Sequence, residues 1–295
     1  ACFYFYLTSR ITLAAFLGSL AILTRPDAIL LLVPIALDHL VRVIQRQEKL
    51  RWPDMLALVL IPLFWYSFAT FQFGSPIPHS VQAKMGAYRL ESTEALVRLI
   101  QHYATPLMND IWFGSLVSVA GGLLVYPALF AIGALKAVKS KPRSLPFIVY
   151  PWVYFLVFAI ANPLIFRWYL TPPLPAYLFF ILVGVQSVIS GLLGKLKRHP
   201  RMSQTVVLSV FLIVLPLANL LSAWVWIPDH GMRHPAPQMS WYKLELLYGQ
   251  AAAIISPYLQ DGQTLAAGDV GVLGYFTNAR ILDTVGLNSP QVLAY

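Results

Sequence analysis

The chain has 295 residues, of which 58% are hydrophobic and only 11% charged, and its net charge is +9. An ordinary soluble domain carries about 25% charged residues, so a water-soluble globular fold is not expected. The positive charge does not point to nucleic acid either, because twelve of the 21 basic residues crowd into three short loops, the pattern that orients membrane spans.

In chain order, the first apolar run is Cys2 to Thr24, interrupted by Arg10, and the second is Ala28 to about Ile44, interrupted by Asp38 and His39. These two are expected to form a tight hairpin around Arg25-Pro26-Asp27. Met55 to about Phe73 follows. Ile111 to Leu135, Leu145 to Phe166, Leu170 to Gly194 and Met202 to Pro228 then form four charge-free runs. A hydrocarbon core of about 30 Å needs about 20 helical residues, and these runs match it. Internal prolines such as Pro62, Pro127, Pro151 and Pro216 are compatible with spanning helices, since neighbouring groups re-satisfy the freed backbone. Kinks are expected at some of them.

The expectation is an all-α polytopic membrane protein with about seven transmembrane helices and a small extracytoplasmic α/β tail. Residues 1–228 form the helical domain, with an outer loop at 74–110, and residues 229–295 form the tail. Ala1 lies inside an apolar run with no initiator Met and no charged signal-peptide region, so the chain reads as a fragment whose N-terminal part is missing. The tail, ending at Tyr295, reads as truncated too. The single cysteine, Cys2, allows no internal disulfide.

Orientation follows from the basic loops. They are Arg42, Arg46, Lys49 and Arg51, then Lys136, Lys139, Lys141 and Arg143, then Lys195, Lys197, Arg198 and Arg201. Two spans separate each loop from the next, so all three fall on one side, which the positive-inside rule makes cytoplasmic. The loop from Gly74 to Asp110, the turn from Asn162 to Tyr169 and the tail then face outward. Within the outer loop, Ser92 or Thr93 is positioned to cap a helix carrying Leu96, Leu99, Ile100 and Tyr103, which is expected to lie along the membrane surface. In the tail, Tyr242 to Leu259 reads as a helix, with short strands at Thr264 to Ala267 and near Arg280 to Asp283.

The chemically capable residues fall on the outer face. Arg25 and Asp27 occupy a helix junction, where a buried charge needs a partner or water, which makes them functional candidates; the alternative is that they pair with each other and end a helix. After Phe73, a Pro-stiffened turn offers His79, Ser80 and Lys84, and a lysine serves a phosphate as a point charge; the alternative is a solvated loop lysine. Arg167, beside Trp168 and Tyr169, opens a Pro-rich segment. Arginine grips phosphate with a fork and stacks on rings, although an interfacial anchor would look the same. His230 and His234 are four apart, but Gly231 and Pro235 disfavour the helix that zinc ligation would need. The glycines of Gly268-Asp269-Val270-Gly271-Val272-Leu273-Gly274 have the wrong spacing for a dinucleotide loop. No cofactor motif is present, and no metal site is assigned.

Four stretches together resemble the GT-C superfamily of membrane glycosyltransferases, which use polyprenyl-phosphate sugars and include protein O-mannosyltransferases, lipid A aminoarabinose transferases and mycobacterial arabinofuranosyltransferases. They are Leu-Thr-Arg-Pro-Asp (Leu23 to Asp27), Phe-Gly-Ser-Pro-Ile-Pro-His-Ser with Ala-Lys (Phe73 to Lys84), Arg-Trp-Tyr-Leu-Thr-Pro with Pro-Leu-Pro (Arg167 to Pro175), and Asp-Val-Gly-Val-Leu-Gly-Tyr-Phe with Ile-Leu-Asp and Gly-Leu (Asp269 to Leu287). The resemblance implies transfer of a sugar from a polyprenyl-phosphate donor to an extracytoplasmic cell-envelope acceptor, in a bacterial inner membrane. Arg25, Lys84 and Arg167 would stabilise the leaving lipid phosphate, with Asp27, His79 and Tyr169 as lesser contributors. The family's catalytic aspartate belongs to a loop upstream of the matching region, so no base is assigned here: Asp27, Asp110 and Asp269 do not occupy its position. The fragment alone is accordingly expected to be inactive. The expected partners are the lipid-linked donor and membrane lipid. A transporter or flippase of lipid-linked sugars is the competing class, which would show repeated halves and interrupted helices near the midplane; a non-catalytic scaffold is the third.

Overall fold

In the computed structural model, the described residues are 1–78, 80, 81, 83, 91, 93–106, 115–163, 165, 167–195, 206, 210, 214, 217, 218, 240–260, 262–289, 291 and 292. The chain divides into two compact units, Ala1–Pro76 with Leu90–Ala223, and Ile77–Arg89 with Trp224–Tyr295.

The first unit is helical because its apolar runs must bond their own backbone wherever water is absent. The helices are α1 (Cys2–Leu7), α2 (Ile11–Thr24), α3 (Ile29–Ile44), α4 (Trp52–Phe73), α5 (Glu94–Ala104), α6 (Ser115–Ser140), α7 (Leu145–Ala161) and α8 (Leu174–Lys195). Among the described residues, four stretches are long and apolar enough to cross a membrane: Trp52–Phe73, Leu116–Ser140, Pro142–Ala161 and Leu174–Leu192. At about 1.5 Å per residue they are about 28–38 Å long. Their outward faces are apolar; in α4, Phe64 and Phe71 are almost fully exposed, as lipid-facing rings are. Pro34, Pro62, Pro127 and Pro151 all lie inside helices.

The run from Cys2 to Thr24 is not one span. Ser9 adopts a left-handed backbone with φ 62°, and the chain reverses there, so that the Cys2 thiol donates to the Ala14 carbonyl at 3.2 Å. Two residues that far apart in a continuous helix would be about 18 Å apart. α2, with 14 residues, and α3, with 16, are each shorter than the about 20 residues a straight crossing requires. The expected seventh span, Met202 to Pro228, lies largely outside the described residues.

α7 stops at Ala161 because Asn162 takes the left-handed conformation, with φ 46°, which asparagine tolerates better than most residues. Arg167–Leu170 is a single 3-10 turn, and α8 begins at Leu174. Pro172 and Pro173 delay that start, since a residue preceding proline avoids the helical region. α6 and α8 cross with their backbones nearly touching: a Cβ on Gly133 would lie 2.0 Å from the Phe180 carbonyl oxygen, and one on Gly184 would lie 1.9 Å from that of Leu129. Small residues at such crossings are how membrane helices obtain dense packing.

α5 does not simply float at an interface. Ala95, Leu99, Tyr103 and Ala104 are buried, and the Tyr103 hydroxyl donates to the Pro151 carbonyl at 2.7 Å. Thr93 occupies the N-cap position but makes no capping side-chain bond. The cap comes from elsewhere: Asn162 Oδ1 accepts the Ala95 N–H at 3.0 Å, while its Nδ2 donates to the Glu91 carbonyl at 2.8 Å.

The second unit contains α9 (Ser240–Ile255), β1 (Thr264–Ala267), α10 (Gly271–Thr277) and β2 (Arg280–Asp283). The two strands pair in parallel, Thr264 opposite Arg280 and Ala267 opposite Asp283, and α10 connects them. The glycine-rich stretch is therefore more than a turn. Gly271 opens α10, and Gly274 faces Ile281 across a gap that a Cβ would close to 3.1 Å. Asp283 is buried, and its carboxylate accepts the N–H groups of Val285, Gly286 and Asn288 at 2.9, 3.3 and 2.7 Å.

Candidate functional site

The end of α2 gives rise to the site. Thr24 is the last helical residue, Arg25 is extended, and Pro26 starts a 3-10 turn through Ala28. Proline suits that position because its fixed φ fits a first helical turn. The turn brings Arg25 and Asp27 onto the same side. Arg25 Nε donates to Asp27 Oδ1 at 3.0 Å and Nη2 to Oδ2 at 2.9 Å, a forked pair that fixes the guanidinium plane.

α7 supplies the next component. Tyr154, completely buried, has its hydroxyl 2.8 Å from Asp27 Oδ2 and 2.5 Å from the Tyr169 carbonyl oxygen. The phenol thus joins the Arg-Pro-Asp turn to the 3-10 turn Arg167–Leu170. Its ring stacks on Phe158, with centroids 4.3 Å apart and planes 9° from parallel. The Tyr169 ring in turn lies under Arg25, whose Cζ is 5.7 Å from the ring centroid, within cation–π range. α5 supports the same region: Arg98 donates to the Ile165 carbonyl at 3.1 Å and pairs with Glu94 at 2.7 Å.

Charge is unevenly accessible. Asp27 is enclosed, with 16% of its side chain exposed, whereas Arg25 shows 38%. Its hydrogen bonds to Asp27 raise the Arg25 pKa above the ordinary value, against partial burial that acts in the opposite direction. Asp27 is engaged by a forked cation and a phenol, and Arg25 is a partly exposed cation of the site among the described residues.

Of the residues singled out in sequence, Arg25, Asp27 and Tyr169 come together. His79 and Lys84 lie outside the described residues, as does the Arg167 side chain, although the Arg167 backbone opens the turn to which Tyr169 belongs. His230, His234 and Asp110 lie outside them as well. Among the described residues, no group of three or more His, Cys, Asp or Glu side chains could hold a metal ion. Tyr154 and Asn162 tie these segments together, and residue patterns did not single them out. A signal was present for Tyr154, since a phenol in a charge-free span must find a polar partner.

The helices long and apolar enough to span a bilayer make this a membrane protein. A family model described as a domain of unknown function (DUF8728) matches residues 237–295, which cover the α/β tail. No curated protein and no solved structure matches the chain.

Proposed function

We propose that the protein is a GT-C-type membrane glycosyltransferase that moves a sugar from a polyprenyl-phosphate donor to an extracytoplasmic cell-envelope acceptor. In this reading it resides in a bacterial inner membrane with the C-terminal tail outside. The observation that carries it is the meeting of the Leu-Thr-Arg-Pro-Asp and Arg-Trp-Tyr-Leu turns through Tyr154, which bonds to Asp27 127 residues away in sequence. Two of the stretches on which the resemblance rests thus belong to one site, and that site holds a partly exposed arginine.

The chemistry is a single displacement at the anomeric carbon. An acceptor hydroxyl forms the new C–O bond and surrenders its proton to a carboxylate, while the bond to the lipid phosphate breaks and the phosphate leaves with the electron pair. Preorganised cations facing that phosphate lower the barrier by meeting charge as it develops. Arg25 is suited to this because Asp27 and Tyr169 already fix its plane; Lys84 and Arg167 are assigned the same role, and no base is assigned.

The test is sugar transfer by the complete purified protein with a panel of polyprenyl-phosphate sugars. Arg25→Ala and Arg167→Ala should each lower turnover by about 10²-fold, the usual effect of losing one preorganised donor. Unchanged turnover in both variants removes the assigned roles. Movement of intact lipid across the bilayer without transfer replaces the enzyme by a flippase.

A further inference from the structure

The end of the helical unit opposite the Arg25 turn holds a second set of charges. There the α1–α2 turn, the segment after α3 and the 3-10 turn Pro142–Ser144 converge. Glu48 is the hub: it accepts from Arg143 Nη2 and lies 2.9 Å from His39 Nδ1 and 3.9 Å from Arg42 Nε. Arg42 pairs with Asp38 at 2.9 Å, and the Tyr6 hydroxyl donates to the same carboxylate. Arg143 also donates to the Tyr6 carbonyl at 3.2 Å.

Beside this network is a cavity of about 600 Å³, within the size range of ligand pockets. Arg10, Arg46, Lys49, Arg51 and Arg143 line it, against the carboxylates Glu48 and Asp54. Glu48 is consumed by Arg143 and His39, and Asp54 accepts the Thr12 hydroxyl. Among the described residues, Arg10, Arg46, Lys49 and Arg51 make no ion pair, so the cavity carries surplus positive charge.

A second cavity, of about 260 Å³, adjoins it between α2, α3 and α4, and its lining is almost wholly apolar, including Ala14, Leu32, Ile35, Leu40 and Leu58. Ile11, His39 and Asp54 line both cavities. His39 is only 8% exposed, and its Nε2 is buried with no hydrogen-bond partner among the described residues. Buried polar nitrogens are rarely left so. Nδ1 is already taken up by Glu48 at 2.9 Å, so Nε2 is the ring atom left for a hydroxyl, which can either donate or accept.

The geometry points to a binding site for an anionic phospholipid at this end of the unit, its phosphate in the basic cavity and an acyl chain in the apolar groove between α2, α3 and α4. A soluble phosphate compound would use the basic cavity and leave the groove empty; a neutral lipid would use the groove and leave the cations unanswered. A lipid with both parts fits both, and His39 sits where headgroup meets chain. A hydroxylated headgroup such as phosphatidylglycerol also brings a hydroxyl, which can donate or accept, to the His39 ring.

The complete protein in neutral detergent would be titrated with short-chain phosphatidylglycerol, short-chain phosphatidylcholine and glycerol phosphate. Phosphatidylglycerol should bind tightest. Each basic residue near an anionic headgroup contributes about five-fold in affinity, so the pair Arg10→Gln and Arg51→Gln should weaken binding about 25-fold. The pair Lys136→Gln and Lys139→Gln, basic but outside the cavity, should stay within about two-fold. Ala36→Phe, which fills the groove from a partly open position, should weaken the lipid and leave glycerol phosphate unaffected. Equal binding of the two lipids overturns the proposal, as does equal loss in both charge pairs, which would mean diffuse surface attraction. Glycerol phosphate binding with no gain from the acyl chains overturns it in favour of a soluble phosphate site.

Discussion

Tyr154→Phe isolates one hydroxyl. The ring, stacked on Phe158 at 4.3 Å, is preserved, and only the group between Asp27 and the Tyr169 carbonyl is removed. Hydrogen bonds between membrane helices average about 0.6 kcal/mol and reach about 1.7 kcal/mol, whereas bonds to charged groups contribute about 1.5–3 kcal/mol. Asp27 retains its forked contact with Arg25, at 3.0 and 2.9 Å, so its charge does not become unpaired. The full penalty for an orphaned carboxylate therefore does not apply. The single phenol proton is shared between the two acceptor oxygens, so losing it should cost about 1.5–2 kcal/mol, one hydrogen bond to a charged group. The assay is reversible unfolding in detergent for wild type, Tyr154→Phe, Asp27→Asn and the double variant. Coupling of about 1 kcal/mol between the two sites is expected, because contacting residues fail to add. A loss below about 0.5 kcal/mol for Tyr154→Phe, together with additivity, would refute the bridging role.

At the helix crossing, Gly184→Ala forces a methyl to within 1.9 Å of the Leu129 carbonyl oxygen and should cost about 1–3 kcal/mol. Gly191→Ala, with nothing within 4 Å, should be neutral or stabilising by up to about 1 kcal/mol; thermal unfolding in detergent compares them. Asn162→Gly keeps the left-handed backbone but releases the start of α5, so the Ala95 amide should exchange its hydrogen faster while amides in α6 do not. In a Cys2→Ala background, a cysteine at Lys139 should react with impermeant reagent only from the cytoplasmic side and one at Glu91 only from outside; the reverse pattern inverts the topology. In the tail, Asp283→Ala leaves three backbone N–H donors without their acceptor and should make the β1–α10–β2 segment sensitive to limited proteolysis.

What the chain reveals unaided is set by terms that depend on local composition. Charge-free runs of adequate length mark α4, α6, α7 and α8, because the cost of an unpaired backbone in lipid leaves helix as the available answer. Proline and asparagine settle the junctions at Pro26, Asn162 and Pro172. The junction at Arg25–Asp27 is legible too, whereas the sequence leaves local pairing and a ligand-facing role as alternatives, and the forked contact between the two side chains shows the pairing. The strands Thr264–Ala267 and Arg280–Asp283 are legible as short segments with apolar centres between turn residues, but their parallel pairing requires the helix between them.

Contacts between distant segments are not written in this way. In Cys2 to Thr24 the charge at Arg10 interrupts the run without fixing whether the chain continues straight or reverses at Ser9; the packing of Cys2 against Ala14 decides it. An amphipathic helix at 94–104 can rest on a bilayer or be buried in protein; Arg98 and Tyr103 choose burial by bonds to Ile165 and Pro151, and Asn162 by bonds to Ala95 and Glu91. Tyr154 becomes part of a site only when the chain returns Asp27 and Tyr169 to its hydroxyl, and His39 becomes a conspicuous buried nitrogen only when α2, α3 and α4 close around it. Local propensity chooses the elements, whereas partner identity depends on which side chains the crossing helices bring within about 3 Å, the reach of a hydrogen bond.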